Sequence, residues 1–203
     1  MKLAEVLAII FTVIVFVFSI IKLKGFKLSV KSIVRIGLVA AITMVLYMIK
    51  LVPFPQGGGC SLLSILPIMM LSVMFGMEEG IICAVIVALI KIVIQPPYYP
   101  LQIPLDYFGS MIAVAFVPLF GVENKFKIIL GAVFASIISI LFSVFSGVIF
   151  FGQFAPKGTN VWVYSIGYNV LGYGVEALLS IVVLSILPLI HIKEAIKRGE
   201  IKR

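Results

Sequence analysis

The chain has 203 residues, of which 63% are hydrophobic and 12% charged, with a net charge of +8. Soluble domains average about 45–50% apolar and about 25% charged, so this composition excludes a soluble globular protein and indicates an integral membrane protein. The basic excess would suit nucleic acid, but its placement along the chain gives it another use.

Seven apolar runs approach or exceed the roughly 17–25 residues that a bilayer-spanning helix needs: residues 3–21, 33–52, 60–77, 79–95, 104–121, 126–151 and 162–190. Their connections are short, so successive helices are expected to run antiparallel. On that plan Lys22, Lys24, Lys27, Lys31, Arg35, Lys125, Lys127, Lys193, Lys197, Arg198, Lys202 and Arg203 share one side, and only Lys2, Lys50, Lys91 and Lys157 lie on the other. Basic loops stay in the cytoplasm, which puts the C-terminus inside and the N-terminus outside. The charge sets topology and is available to anionic lipid or a cytoplasmic partner; no nucleic-acid partner is needed.

The first run is made of Val, Ile and Phe with few small residues, and reads as a lipid-facing addition to a six-helix core that begins near Lys31. A division into residues 1–30, 31–190 and 191–203 follows, the last a basic cytoplasmic tail. In the second run Gly37 and Ala41 are four apart with Ala40 beside them. Small residues at that spacing let helix backbones approach closely, either inside the bundle or on a face that docks another membrane protein. Residues 52–60, VPFPQGGGC, are a flexible hinge or a simple turn. Glu78 and Glu79 read as a solvated turn by default, or as an acidic turn that meets a basic partner.

Four prolines between Pro96 and Pro104 forbid a continuous helix, so an extended segment over the bundle is expected. It ends at Asp106–Tyr107, where the carboxylate either meets a helix dipole or faces a cavity. The sixth run places Gly131, Ala135, Ser139, Ser143 and Gly147 four apart on one helix face. After the loop at 152–160, the last run places Tyr164, Tyr168, Gly172, Glu176 and Ser180 four apart, a polar stripe that must face the interior. Glu176 reads as a structural clamp, bonded to Tyr173 or a serine. Asn169 lies about two turns inside its helix and needs a partner, because an unpaired amide in hydrocarbon is costly.

One half of the bundle thus collects Asp106, Tyr107, Ser143, Gly147, Phe151, Trp162, Tyr164, Tyr168 and Asn169. A carboxylate, an amide and several aromatic faces suit an aromatic, aminated or cationic small molecule. Trp162 alone also fits the aromatic belt of a membrane surface. Cys60, Cys83 and His191 have no metal spacing, and no catalytic set, Walker sequence or cofactor motif is present.

Three stretches carry a resemblance: FPQGGGCSLLSILPIMML at 54–71, PLQIPLDY at 100–107, and SGVIFFGQFAPKGTNVWVYSIGYN at 146–169. They resemble the thiamine-specific membrane subunits of energy-coupling-factor (ECF) vitamin transporters, the ThiT or YuaJ-like family, over about residues 31–190. The resemblance implies a non-enzymatic substrate-binding subunit in the cell membrane, an all-α six-helix bundle here preceded by one extra helix. It implies partners as well: a transmembrane coupling protein and two ATPases, docked near Gly37, Ala40 and Ala41. It implies that Asp106–Tyr107 and the pair Tyr164 and Asn169 hold an aminopyrimidine, with Gly147 beside a thiazolium. The chain departs from the family where Asp106 replaces Glu, Ser143 replaces His and Phe151 replaces Trp, which opens the choice to thiamine, a related vitamin or a precursor. The competing reading is a membrane assembly protein whose polar stripe only holds helices together.

Overall fold

The computed structural model describes residues 3–201; Lys2, Lys202 and Arg203, counted above, lie outside them. The chain folds as an all-α membrane bundle with one small hairpin. Four helical stretches are long and apolar enough to cross a membrane: Leu3–Leu23, Val30–Met48, Lys125–Phe150 and Val161–Ile186. The other three passages depart from a plain span for separate reasons. Helix α3 (Leu66–Phe75) is short because the hairpin takes up the start of its run. Helix α4 (Met77–Ile94) carries Glu78, Glu79 and Lys91. The fifth passage is broken.

Helix α1 (Leu3–Leu23) does more than face lipid. Ala8, Val15 and Ser19 are buried, and Phe11 and Phe18 share their seam at alternating spacings of three and four. The Phe11 ring lies 4.6 Å from Phe142, and Phe18 meets Phe116 edge-on at 5.2 Å. Ile10, Ile14, Val17 and Ile21 form the outward face.

Helix α2 (Val30–Met48) is capped by Ser29, whose side chain accepts from Ser32 N at 3.1 Å. It turns Ile36, Ala40 and Met44 inward and leaves Val34, Gly37, Leu38, Ala41 and Val45 outward. Ala40 is 2% exposed, so it belongs to the packing face, and the outward small-residue patch is Gly37 and Ala41 alone. The Glu78–Glu79 turn also differs from a solvated one. Glu79 is 3% exposed and accepts from Arg35 Nη2 at 2.6 Å and Nε at 3.2 Å, while the guanidinium sits 4.1 Å over the Phe75 ring. This forked pair ties α2 to the α3–α4 turn.

Residues 52–60 are more than a bare turn; they form most of a paired hairpin. Strands β1 (Lys50–Pro53) and β2 (Gly59–Ser61) pair antiparallel, with Val52 opposite Cys60 and Pro53 opposite Gly59. The tip passes through positive φ at Gln56 and Gly57, where glycine has no steric cost.

In the fifth passage, Ile103–Gly109 is π-helical, α5 is Ser110–Val114, and Val117–Phe120 is a 3-10 turn. Irregular backbone at membrane depth survives only where protein buries it. Ala113, Val114, Ala115 and Val117 are fully buried, mainly against α4, α3 and α6 (Lys125–Phe150). Gly131 of α6 faces the Val117 carbonyl so closely that no Cβ would fit. Helices α7 (Val161–Asn169) and α8 (Val175–Ile186) join through a π-helical turn at Val170–Gly174. The last apolar run ends at Ile186, and α9 (Leu189–Ile201) is a separate amphipathic helix.

Phe11→Ala is expected to lower unfolding stability by roughly 1–3 kcal/mol, below the value for a fully buried ring. Ile10→Ala, on the lipid face, should leave the unfolding midpoint in detergent within error. Thermal unfolding of the two variants checks the seam.

Candidate ligand-binding site

A cavity of about 140 Å³ opens at the end of the bundle away from the basic loops. One water needs roughly 10–15 Å³ on this scale, so the space fits a small organic molecule. Its walls come from α2, α4, α6, α7 and both π-helical segments, and the hairpin roofs it.

Asp106 projects from the π-helical turn of the fifth passage. Its carboxylate accepts from Ser146 Oγ and from Gln102 Nε2 at 3.1 Å. Tyr107 points the other way along that turn and donates to the Gln95 carbonyl at 2.6 Å. Asn169 Nδ2 donates to the Ser143 and Ser165 carbonyls at 3.2 and 2.9 Å, which fixes its carbonyl oxygen as the free end. Gly147 lies opposite Ser165; a Cβ there would run into Ser165 Oγ. Phe151 packs edge-on against Tyr99 at 5.7 Å.

The sequence-derived residues are brought together with one exception. Asp106, Tyr107, Ser143, Gly147, Phe151, Tyr164, Tyr168 and Asn169 all line the cavity. Trp162 does not. It is 38% exposed and meets Phe145 edge-on at 6.0 Å on the outer side of α6, the position of a membrane-boundary aromatic.

Sequence reading missed the opposite wall. Tyr47, Lys50, Lys91 and Gln95 line it. The Tyr47 ring carries Lys50 Nζ at 3.9 Å and Lys91 Nζ at 5.0 Å, and its hydroxyl donates to Gln95 Oε1. A lysine in mid-run and a tyrosine four turns into α2 were the available signals, since both are costly in hydrocarbon.

The roof is tied down at several points. Tyr168 Oη donates to the Pro55 carbonyl, and Gln95 Nε2 to the Gly57 carbonyl at 3.0 Å. Phe54 meets Tyr168 edge-on at 5.3 Å. Glu176 is 2% exposed and accepts from Ser61 N at 3.1 Å, Ser64 N at 2.7 Å and Ser64 Oγ at 2.6 Å. Tyr173 bonds Ser139 at 2.7 Å instead. The clamp is therefore made to Ser61 of the hairpin and to Ser64 just after it, a serine partner rather than Tyr173. Among the described residues no His, Cys, Asp and Glu cluster has metal-holding geometry.

A multi-pass helical bundle with a roofed polar cavity near one face is the architecture of a membrane transport protein. The chain belongs to the thiamine transporter protein family (YuaJ type), whose family model matches residues 33–196. It is 33% identical over 158 residues to the thiamine transporter ThiT of Bacillus subtilis (strain 168), covering 68% of this chain and 82% of that relative. A solved structure of ThiT from Listeria monocytogenes superposes with a TM-score of 0.63 at 20% identity, over 82% of this chain and 95% of that one. This last likeness bears on the fold alone.

Glu176→Gln leaves one acceptor oxygen where three donors converge. Hydrogen bonds to charged groups contribute about 1.5–3 kcal/mol each. Exchange of the Ser61 and Ser64 amides should accelerate about tenfold or more, measured by hydrogen–deuterium exchange with mass spectrometry.

Proposed function

We propose that the chain is the substrate-binding membrane subunit of an ECF-type importer, taking thiamine or a close relative from outside. The observation that carries this reading is the convergence of Asp106, Asn169, Tyr164, Gly147 and Phe151 on one roofed cavity. A pure assembly protein would have no use for a cavity lined this way.

The roles follow from the chemistry. Asp106 accepts from the exocyclic amine of an aminopyrimidine by a charge-assisted bond. The free Asn169 oxygen and the Tyr164 hydroxyl address the same ligand from the α7 wall. Gly147 lets a ring lie against the α6 backbone, and Phe151 offers a ring face or edge. Phe151 and Ser143, standing where the resemblance has Trp and His, favour as second reading a related pyrimidine, thiazole or precursor.

In this reading the basic end of the bundle is cytoplasmic, the cavity faces outward, the N-terminus is outside and the C-terminus inside. ATP hydrolysis belongs to two cytoplasmic ATPases acting through a transmembrane coupling protein. The outward patch of α2 around Gly37 and Ala41 supports docking there, since small residues admit a close helix partner. Residues 1–30 are an addition to the binding core at 31–190, and residues 191–203 form the basic tail.

Equilibrium binding of labelled thiamine to purified variants tests the site. Removing one partner of a buried charged contact costs about 3–5 kcal/mol, or roughly two to three decades in affinity. Asp106→Asn should fall by about that much, and Asn169→Ala, which removes a neutral amide, by about tenfold, both remaining folded; unchanged affinity in both would remove the site. Phe151→Trp should tighten binding several-fold by enlarging the stacking face. Weaker binding there would mean that Phe151 does not face the ring.

A further inference from the structure

The extra helix α1 reaches toward the ligand cavity through one side chain. Phe11, half-buried on the inner seam, touches two rings of α6, Phe142 at 4.6 Å and Phe145 at 5.9 Å. Each of those rings has a polar residue of the site as its neighbour in the chain. Ser143 follows Phe142, and its carbonyl accepts from Asn169 Nδ2 at 3.2 Å. Ser146 follows Phe145, and its hydroxyl donates to the Asp106 carboxylate. Helix α6 therefore turns residues 142 and 145 toward α1 and the next residue of each pair toward the polar groups of the cavity.

Phe142 is fully buried and also backs the turn that bears Asp106, since a Cβ on Gly109 would meet its ring at 2.5 Å. Ser110 Oγ donates to the Asp106 carbonyl at 2.5 Å, and Ser139 Oγ to the Ser110 carbonyl at 2.7 Å, which ties that turn to α6. On the other side Phe145 meets Trp162 of α7 edge-on at 6.0 Å. One ring of α1 thus stands behind the two rings that back the Asp106 turn and the start of α7. Helix α1 packs on α4, α6 and the Ile103–Gly109 turn. It leaves the outward face of α2 open, where Val34, Leu38 and Val45 are each more than half exposed.

Resting on the reading of this cavity as the ligand site, we infer that Phe11 is a positioning residue for ligand binding, which through Phe142 and Phe145 fixes the spacing between Asp106 and Asn169. Binding groups must be held to within about 0.5 Å by the packing of the residues behind them. Helices in lipid are held together by van der Waals packing, without a hydrophobic drive, and π-helical backbone persists at membrane depth only where protein buries it. A lipid chain can fill the space beside Phe142, but being fluid it fixes no position. A ring carried on a packed helix does. Phe18 lies two turns further along the same seam, roughly 10 Å away. It meets Phe116 edge-on at 5.2 Å, at the end of the fifth passage away from Asp106, so it holds α1 in place without backing the site.

The test is a calorimetric titration of thiamine into the full chain in lipid nanodiscs, paired with hydrogen–deuterium exchange of the ligand-free protein over residues 105–110, both well below the unfolding midpoint. Phe11→Ala is expected to weaken thiamine about fivefold or more and to speed exchange over 105–110 by a similar factor; Phe11→Val serves the same comparison if the alanine variant does not fold. Phe11→Leu, which refills most of the space, should return both to within about twofold of the wild type. Phe18→Ala removes as large a ring from the same helix at a distance from the site, and should change neither by more than about twofold. Equal losses of affinity in Phe11→Ala and Phe18→Ala would make α1 a general support and overturn the inference, as would unchanged affinity in Phe11→Ala. If the wild-type chain binds no thiamine, the vitamin reading fails by itself and the exchange decides. Faster exchange over 105–110 in Phe11→Ala alone then upholds the positioning of the Asp106 turn, and no difference between the variants overturns it.

Discussion

Glu176 sits where the roof hairpin, the start of the third passage and the last passage meet, and its two oxygens gather three donors from Ser61 and Ser64. A hairpin edge at membrane depth leaves backbone N–H groups that lipid cannot satisfy. A carboxylate is acceptor-only and can take several donors at once, which an amide or hydroxyl cannot do in the same space. The chain turns through positive φ at Leu63 so that Ser64 N meets the same carboxylate as Ser61 N. Gly172, one turn before Glu176, approaches Gly59 and Phe54 closely. The roof, and therefore the cavity beneath it, depends on that junction.

The second constraint is backbone irregularity placed where the ligand site is. The two π-helical turns, Ile103–Gly109 and Val170–Gly174, carry Asp106 and follow directly on Asn169. π-Turns recur at functional sites because they re-aim side chains and free a carbonyl. The first is held by packing: Phe142, fully buried, fills the space where Gly109 lacks a side chain, and Phe11 of α1 backs Phe142. Thus the helix that precedes the family-matched segment packs against the ring that supports the turn bearing Asp106.

Much of this was legible in the sequence because membrane proteins write their polar economy openly. The four-residue stripes of α6 and α7–α8 were visible, and they do face inward. Strict four-residue spacing drifts about 40° per step on a 3.6-residue helix; the π turn at Val170–Gly174 winds more widely and takes part of that drift back, which no periodicity announces. The hairpin was hidden because PFPQGGG reads equally as a bare turn. Ala40 and Glu79 were each left between two readings for a common reason. One-dimensional spacing gives a helix face but not its partner, so it could not decide that Ala40 turns into the core while Gly37 and Ala41 stay outward, or that Arg35 is the group that reaches Glu79. Trp162 was drawn into the site by adjacency to Tyr164, yet on a helix those two lie on different faces. Lys91 and Tyr47 were passed over because each is a single polar residue in an apolar run, and only the fold brings them across from Asp106.

The proposed function rests on one claim, that the cavity is an outward-facing vitamin site. The most direct test is a calorimetric titration of thiamine into the purified wild-type chain, without partner subunits. Saturable one-to-one binding at nanomolar concentration, abolished by saturating the site beforehand, is the result the account predicts. No binding heat for thiamine, its phosphate esters or its pyrimidine and thiazole halves up to about 100 μM, a free energy weaker than about −5.5 kcal/mol, would contradict it.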